Sequence, residues 1–379
     1  MMRHALVLAL ASMLVVACSS DKNVREPAAL KDIANPALQL KKQWTASAGA
    51  GSGKLYGNFG LALATDAIFA ADIEGRIFAF DPATGRRIWR AETGTRLISG
   101  PTVSGAAVFA GSMKGELIAL KRADGAPLWR TTLSSEVLAP PVSDGNIVVA
   151  RAGDGRTYGL SAVSGTRVWT QSATVPNLTL RGLSQPLLLG GRVFIGLDNG
   201  RIAALRISDG QPAWEQVVAA ATGRNELERL IDVDAALYGD GPEVFAVSFG
   251  GELVCFDGET GQPLWRRPVK SYSGIARAGD HIIVSDEAGV VWGLDARTGA
   301  AVWKNEDLQY RKLSAPAVFK DRIVLGDFEG YTHWLDPKDG RLVARIRAGS
   351  DPIQAAPQAS DDRLYVLNTA GGITALALN

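Results

Sequence analysis

Apolar and polar positions alternate along this chain in short, regular bursts. Runs rich in β-branched residues, such as Ala107 to Ala110, Ile147 to Ala150, Val193 to Leu197 and Ile323 to Leu325, each lead into a glycine. A second apolar run follows that glycine, as Leu117 to Leu120 follows Gly115. Runs this short, punctuated by turn residues at even spacing, predict strands of an all-β protein and not helices. The second run leads into Asp-x-x-Thr-Gly or a variant of it. There a side-chain oxygen can cap local amides, and the glycine supplies the positive φ of a tight reversal. A further strand follows each turn. Pro101, Pro141, Pro186, Pro316 and Pro357 mark a first strand, because proline is tolerated only at a strand's start or on an edge.

These pieces form one repeating unit. It opens at Gly75 and runs through Thr84-Gly85 to Ile88-Trp89. It recurs with Gly115 and Trp129, Gly155 and Trp169, Gly200 and Trp214, Gly251 and Trp265, and Gly289 and Trp303. A seventh copy, from Gly330, carries Val343-Ala344 where the others carry tryptophan, and an eighth begins at Gly371 and stops at Asn379. Four antiparallel strands per repeat, eight times over, predict an all-β eight-bladed β-propeller. The last copy lacks its final strand, while Leu40 to Thr45 carries an unclaimed Trp44. The N-terminal strand is therefore expected to complete the last blade. At one fixed phase of each blade the tryptophans read as packing between blades, each burying a large ring. Cys255 occupies the phase of Ala79, Ala119, Gly159, Ala204 and Gly293, so a buried inert thiol is expected there.

The chain's beginning has a different character. Arg3 and His4 precede an apolar run from Ala5 to Ala17, too short for the roughly 20 residues of a membrane-spanning helix. It suits a secretory signal. The run ends Val15-Val16-Ala17-Cys18, which resembles the bacterial lipobox. That resemblance implies cleavage before Cys18 and acylation of it, and several acyl chains anchor stably where one is marginal. Ser19 in second place implies the outer membrane, periplasmic face, in a Gram-negative host. The expected organisation is thus a signal at 1–17, a lipidated Cys18 with a flexible tether over 18–38, and a propeller over 39–379. Twenty extended residues reach at most ~70 Å.

Charge narrows the function classes. Lys and Arg number 40 against 39 Asp and Glu, and with Arg3 removed the two are equal, so no basic excess speaks for nucleic acid. With Cys18 acylated, Cys255 has no disulfide partner. His281 and His333 stand alone, without metal-ligand spacing or a nucleophile's neighbours. The repeat frame resembles that of the pyrroloquinoline-quinone dehydrogenases and their non-enzymatic relatives, but the adjacent cysteines often found in the enzymes are missing. No cofactor, metal or catalytic residue is expected, and an oxidoreductase is the weaker alternative.

The irregularities of the period carry the functional expectation. Opening glycines stand 40, 40, 45, 51, 38, 41 and 41 residues apart, so extra chain falls after Trp169 and, more heavily, after Trp214. Both insertions join an outermost strand to the next blade's innermost strand, hence lie on one face of adjacent blades, where repeat proteins commonly place binding. The first holds Leu178-Thr179-Leu180-Arg181-Gly182 and the second Arg229-Leu230-Ile231-Asp232-Val233-Asp234. Two alternate leucines with an arginine have the composition of a protein-binding hot spot. The alternative is that the leucines pack their own loop and Arg181 pairs with Asp232 or Asp234. Together with the lipobox, these motifs resemble the BamB family, lipoprotein accessories of the outer-membrane β-barrel assembly machinery. The resemblance implies a scaffold in which Leu178, Leu180, Arg181, Asp232 and Asp234 belong to the region that binds the periplasmic POTRA domains of BamA, beside the other Bam components. Ile231 and Ala344 are departures from the family pattern. A propeller binding some other envelope protein is a further alternative.

Overall fold

A computed structural model describes residues 25–34, 36–53, 58–176, 184–220 and 231–379. Its strands form eight sheets of four, each antiparallel and ordered along the chain, as in blade 1 with Ala62–Leu63, Ile68–Ala71, Arg76–Phe80 and Arg87–Glu92. The proline that precedes a first strand ends outside it: Thr102–Ser104 follows Pro101, and Ala317–Phe319 follows Pro316. Second and third strands are the most apolar and the most buried. Ile68–Ala71 is covered throughout, whereas the fourth strand Arg87–Glu92 exposes every other position, as an outer edge must.

The eighth sheet contains Gln358–Ala359, Leu364–Leu367 and Gly372–Leu378, and its fourth strand is Leu40–Ser47, paired antiparallel with Gly372–Leu378. The core has the same cyclic order. Its apolar clusters each join one blade to the next. The last joins Tyr365, Leu367 and Ile373 of blade 8 to Ile68, Phe78 and Phe80 of blade 1. The ring is therefore shut by packing as well as by backbone pairing.

One contact is repeated around that ring. The indole of Trp89 donates to Arg122 O, that of Trp129 to Ala162 O, and the series continues through Trp169, Trp214, Trp265 and Trp303 to the corresponding carbonyl of the next blade's turn, at 2.8–3.1 Å. Each ring lies on the glycine of that turn. A Cβ added at Gly125, Gly165, Gly210, Gly261, Gly299 or Gly340 would come within 2.2–2.7 Å of the indole, and these glycines have φ between +69° and +74°. The turn glycine thus serves two needs, the left-handed backbone and the seat for a flat ring. Trp44 follows the same rule, donating to Pro82 O at 3.1 Å and lying on Gly85.

The residue before each tryptophan bulges out of the ladder. Ala79 pairs with Trp89 but Phe80 pairs with Arg87, which leaves Ile88 unpaired and 48% exposed. Leu128, Val168, Leu264 and Val302 sit in the same bulge. A bulge on every outer strand twists the free edge and interrupts the row of amides that another strand would need.

Blade 7 explains its own exception. Ala344 pairs with Trp334, which stands in the slot held elsewhere by Ala79, Ala119 or Cys255 and is wholly buried. Large and small have changed places across one cross-strand pair. The reason lies in blade 8, whose third and fourth strands come from opposite ends of the chain. No turn joins them, so a tryptophan at 344 would have no turn glycine or carbonyl to meet.

The described part of the segment expected as a tether makes hydrogen bonds to the propeller. Ala28 N donates to Gln309 O at 2.9 Å, Arg311 Nη1 to Ala28 O at 3.0 Å, and Arg345 Nη2 to Lys31 O at 2.9 Å. Lys31 pairs with Asp307, Arg25 lies over the Tyr310 ring, and Ala37 N donates to Val343 O on the bulge of blade 7. Residues 25–34 and 36–38 form a strap across the connection between blades 6 and 7. Backbone bonds hold it, which is why its side chains carry no periodic signal.

Candidate protein-interaction face

The turns between second and third strands and the connections from one blade to the next share one face. Thr93 N donates to Gly75 O, Leu133 N to Gly115 O, Ala173 N to Gly155 O and Val218 N to Gly200 O. Both long connections therefore emerge on this face, in neighbouring positions. They also touch: Ser184 Oγ, from the first, donates to Ala235 O, in the second, at 3.2 Å.

Of the residues predicted to bind a partner, Leu178, Leu180 and Arg181 lie outside the described residues, as does Cys18. Asp232 and Asp234 are described. Asp234 is half-buried, and Asp232 is only 1% exposed. The backbone around it is fastened on both sides. Val233 N donates to Leu197 O at 3.2 Å, in blade 4, and Asp232 O accepts from Phe249 N at 3.2 Å, in blade 5. Ile231 is buried beside Gly200, where a Cβ would come within 2.5 Å of its Cδ1.

Beneath this segment lies an ion pair that the sequence reading missed. Arg151 Nη2 meets Asp198 Oδ1 at 2.7 Å while Nη1 donates to Gly196 O at 2.7 Å, and both side chains are almost fully buried. The guanidinium crosses from blade 3 to blade 4. A signal existed: in the column four residues before each opening glycine, Ala71, Gly111, Gly196, Val247, Ser285, Gly326 and Leu367 are all uncharged, and Arg151 is the charged exception.

A second buried polar group stands on the same face at blade 7. Asp327 Oδ1 caps its turn by accepting from Glu329 N and Tyr331 N, each at 2.9 Å. Oδ2 accepts from Arg311 Nε at 2.8 Å and lies 2.8 Å from His333 Nε2. Burial pushes the carboxyl toward protonation, but the bonds from His333, the turn amides and Arg311 outweigh it, so Asp327 stays below the ordinary carboxylate range. Burial likewise lowers the His333 pKa against the pull of Asp327, leaving the ring neutral. Arg311 also pairs with Glu329 and carries the strap's Ala28 carbonyl. The group is thus a structural tie between strap and blade, with His333 a core histidine.

Cys255 is fully buried, and desolvation pushes its thiol up to about 12. The folded protein is expected to leave this thiol untouched by a disulfide reagent at pH 8. Full reaction should come only in denaturant, and stoichiometric labelling of folded protein would contradict the burial. Among the described residues, no three His, Cys, Asp or Glu side chains stand together as a metal site.

A family model described as outer membrane protein assembly factor BamB matches residues 73–305 and 295–379. A Pseudomonas aeruginosa protein named outer membrane protein assembly factor BamB is 47% identical over 99% of each chain. The Escherichia coli protein of that name is 36% identical over 85% of each. Among solved structures, BamB from Moraxella catarrhalis superposes with a TM-score of 0.82 at 28% identity, covering 89% of this chain and all of that one. The quinohemoprotein alcohol dehydrogenase of Comamonas testosteroni superposes with a TM-score of 0.72 at 12% identity over 92% of this chain and 78% of its own, a likeness of fold alone.

Proposed function

The chain belongs to the family of outer membrane protein assembly factor BamB, and from that membership we propose that it is a non-catalytic scaffold lipoprotein of the outer-membrane β-barrel assembly complex. It hangs from acylated Cys18 at the periplasmic face of the outer membrane. Its insertion-bearing face takes up the POTRA domains of BamA and so favours passage of unfolded barrel precursors to the insertase. Leu178, Leu180, Arg181 and Asp234 form the contact surface, and Asp232 holds the loop from below. Fully extended, residues 18–24 span at most about 25 Å, so the strap keeps the body closer to the lipid than an undocked segment would. An oxidoreductase reading has only the shared propeller behind it.

The observation that carries this reading is the meeting of the two long connections on one face, joined by Ser184 and Ala235. Apolar anchors beside an arginine suit a hot spot that excludes water around a charge-assisted bond. Leu178→Ala combined with Leu180→Ala, and separately Arg181→Ala, should each weaken binding to purified BamA periplasmic domains by about 10-fold or more. Melting should stay near that of the parent protein. Normal binding by the combined variants would show that the contact lies elsewhere.

A further inference from the structure

We propose that Arg151 and Asp198 are positioning residues for the partner-binding face, a buried ion pair that sets the height and angle at which both insertions leave the propeller. The inference rests on the scaffold reading above and extends it to residues that no partner touches.

Three observations converge. First, the pair breaks the repeat where the period also breaks. Blade 3 places Arg151 where every other blade places an uncharged residue (Ala71, Gly111, Gly196, Val247, Ser285, Gly326 and Leu367), and the insertions follow blades 3 and 4. Second, the two arms of the guanidinium grip two points of one turn, Gly196 O and Asp198 Oδ1, both at 2.7 Å. That turn bears the returning ends of both insertions. Leu197 O accepts from Val233 N, and a Cβ at Gly196 would come within 2.3 Å of Val233 O and 3.0 Å of Ser184 Oγ. Third, the stack continues into blade 5 through Asp232 O and Phe249 N. Blades 3, 4 and 5 are thereby tied at one level, directly under the candidate face.

Stability alone does not account for such a pair. Desolvation of two buried charges offsets most of their attraction, and well-packed apolar replacements are often as stable. What the pair supplies is direction. A planar fork on two acceptors fixes the turn in orientation as well as distance, whereas apolar packing would let it slide.

The test uses the full-length protein with three readouts: melting temperature, hydrogen exchange by mass spectrometry, and affinity for the BamA periplasmic domains. R151M combined with D198L removes both charges and leaves neither unpaired. It should move the melting temperature by no more than about 3 °C, speed exchange at the Val233 and Phe249 amides, and weaken binding at least about 10-fold. The equivalent amides of Val137 in blade 2 and Ile353 in blade 7, which donate to Ser112 O and Asp327 O, should not change. R151K keeps the charge but reaches one acceptor at a time, and should lose about 3-fold or more in affinity with a parent-like melt. It remains decisive if the double variant fails to fold. Parent-like binding or unaltered Val233 exchange in either folded variant overturns the inference. If Leu178→Ala with Leu180→Ala weakens binding while the Arg151 variants do not, only the positioning role falls. If no variant changes binding, the site itself is misplaced and both readings fall.

Discussion

Replacing Trp44 by alanine is expected to destabilise the propeller by about 3–5 kcal/mol, as much as losing an aromatic from a closed core. Trp44 is among the first aromatic side chains of the body, but its ring lies on Gly85 and its indole donates to Pro82 O, both in blade 1. It is also 5.7 Å from the Tyr365 ring of blade 8. One side chain therefore joins the last blade to the first. The loss is expected to differ in kind from that at Trp129, which makes the same bond inside an uninterrupted stretch of chain. An opened ring exposes the apolar flanks of two blades, so Trp44→Ala should also broaden the urea transition, a sign that two-state behaviour has broken down. Deleting residues 39–46 removes all but the last residue of the outer strand of blade 8 and should abolish cooperative unfolding. A deletion variant with parent-like, sharp melting would mean that closure does not depend on this strand.

Asp327→Ala should cost about 3–5 kcal/mol, more than the loss of any exposed carboxylate such as Glu92. It strips the turn of its cap and leaves the buried Arg311 with one carboxylate, the half-exposed Glu329, beside the Ala28 carbonyl. The sign of the pH dependence follows from the same geometry. His333 has a folded pKa below its ordinary 6.5, so the unfolded chain takes up a proton first as the solution is acidified. Stability contributed by the neutral ring is complete above about pH 6.5 and declines as pH falls toward the lowered folded value. Asp327, whose folded pKa is also lowered, adds a second loss below about pH 4 as it protonates. His333→Gln can still donate to Asp327 but does not titrate. Urea melts of parent and H333Q at pH 7.5, 6.5 and 5.5 should therefore show the parent losing more stability over that interval, by about 1 kcal/mol or more. Equal slopes would mean that the histidine is accessible to protons in the folded state.

Much of this molecule could be read from its residues, because a propeller blade is a local object. The strand runs, the Asp-x-x-Thr-Gly turns and the proline starts each need only a dozen neighbours in sequence to declare themselves. Closure was legible too. Trp44 without a repeat and Gly371 without a tryptophan are complementary deficits, and counting them together completes blade 8. The burial of Cys255 followed from its column of small residues. The face bearing the insertions followed from their place between an outer and an inner strand.

Other features required the folded chain. Ala344 reads as a lost tryptophan, yet Trp334 compensates for it across the sheet, and the reason is an absent turn in blade 8, which exists only once both ends of the chain meet. The strap of residues 25–34 and 36–38 carries no hydrophobic period because its seat is made by Asp307, Gln309, Arg311 and Arg345, nearly three hundred residues away, and its bonds are largely to backbone. Asp232 has the sequence of an exposed loop but is held beneath the surface by backbone bonds to two blades, its carbonyl accepting from Phe249 N and the next amide donating to Leu197 O. Arg151 and Asp198 look like ordinary surface charges until adjacent blades bring them within 2.7 Å. Periodic side chains and turn chemistry determine the eight sheets because those interactions are short in sequence. The placement of charges, the strap and the insertions depends on which blades become neighbours, and the free energy of those long-range contacts has no local signature along the chain.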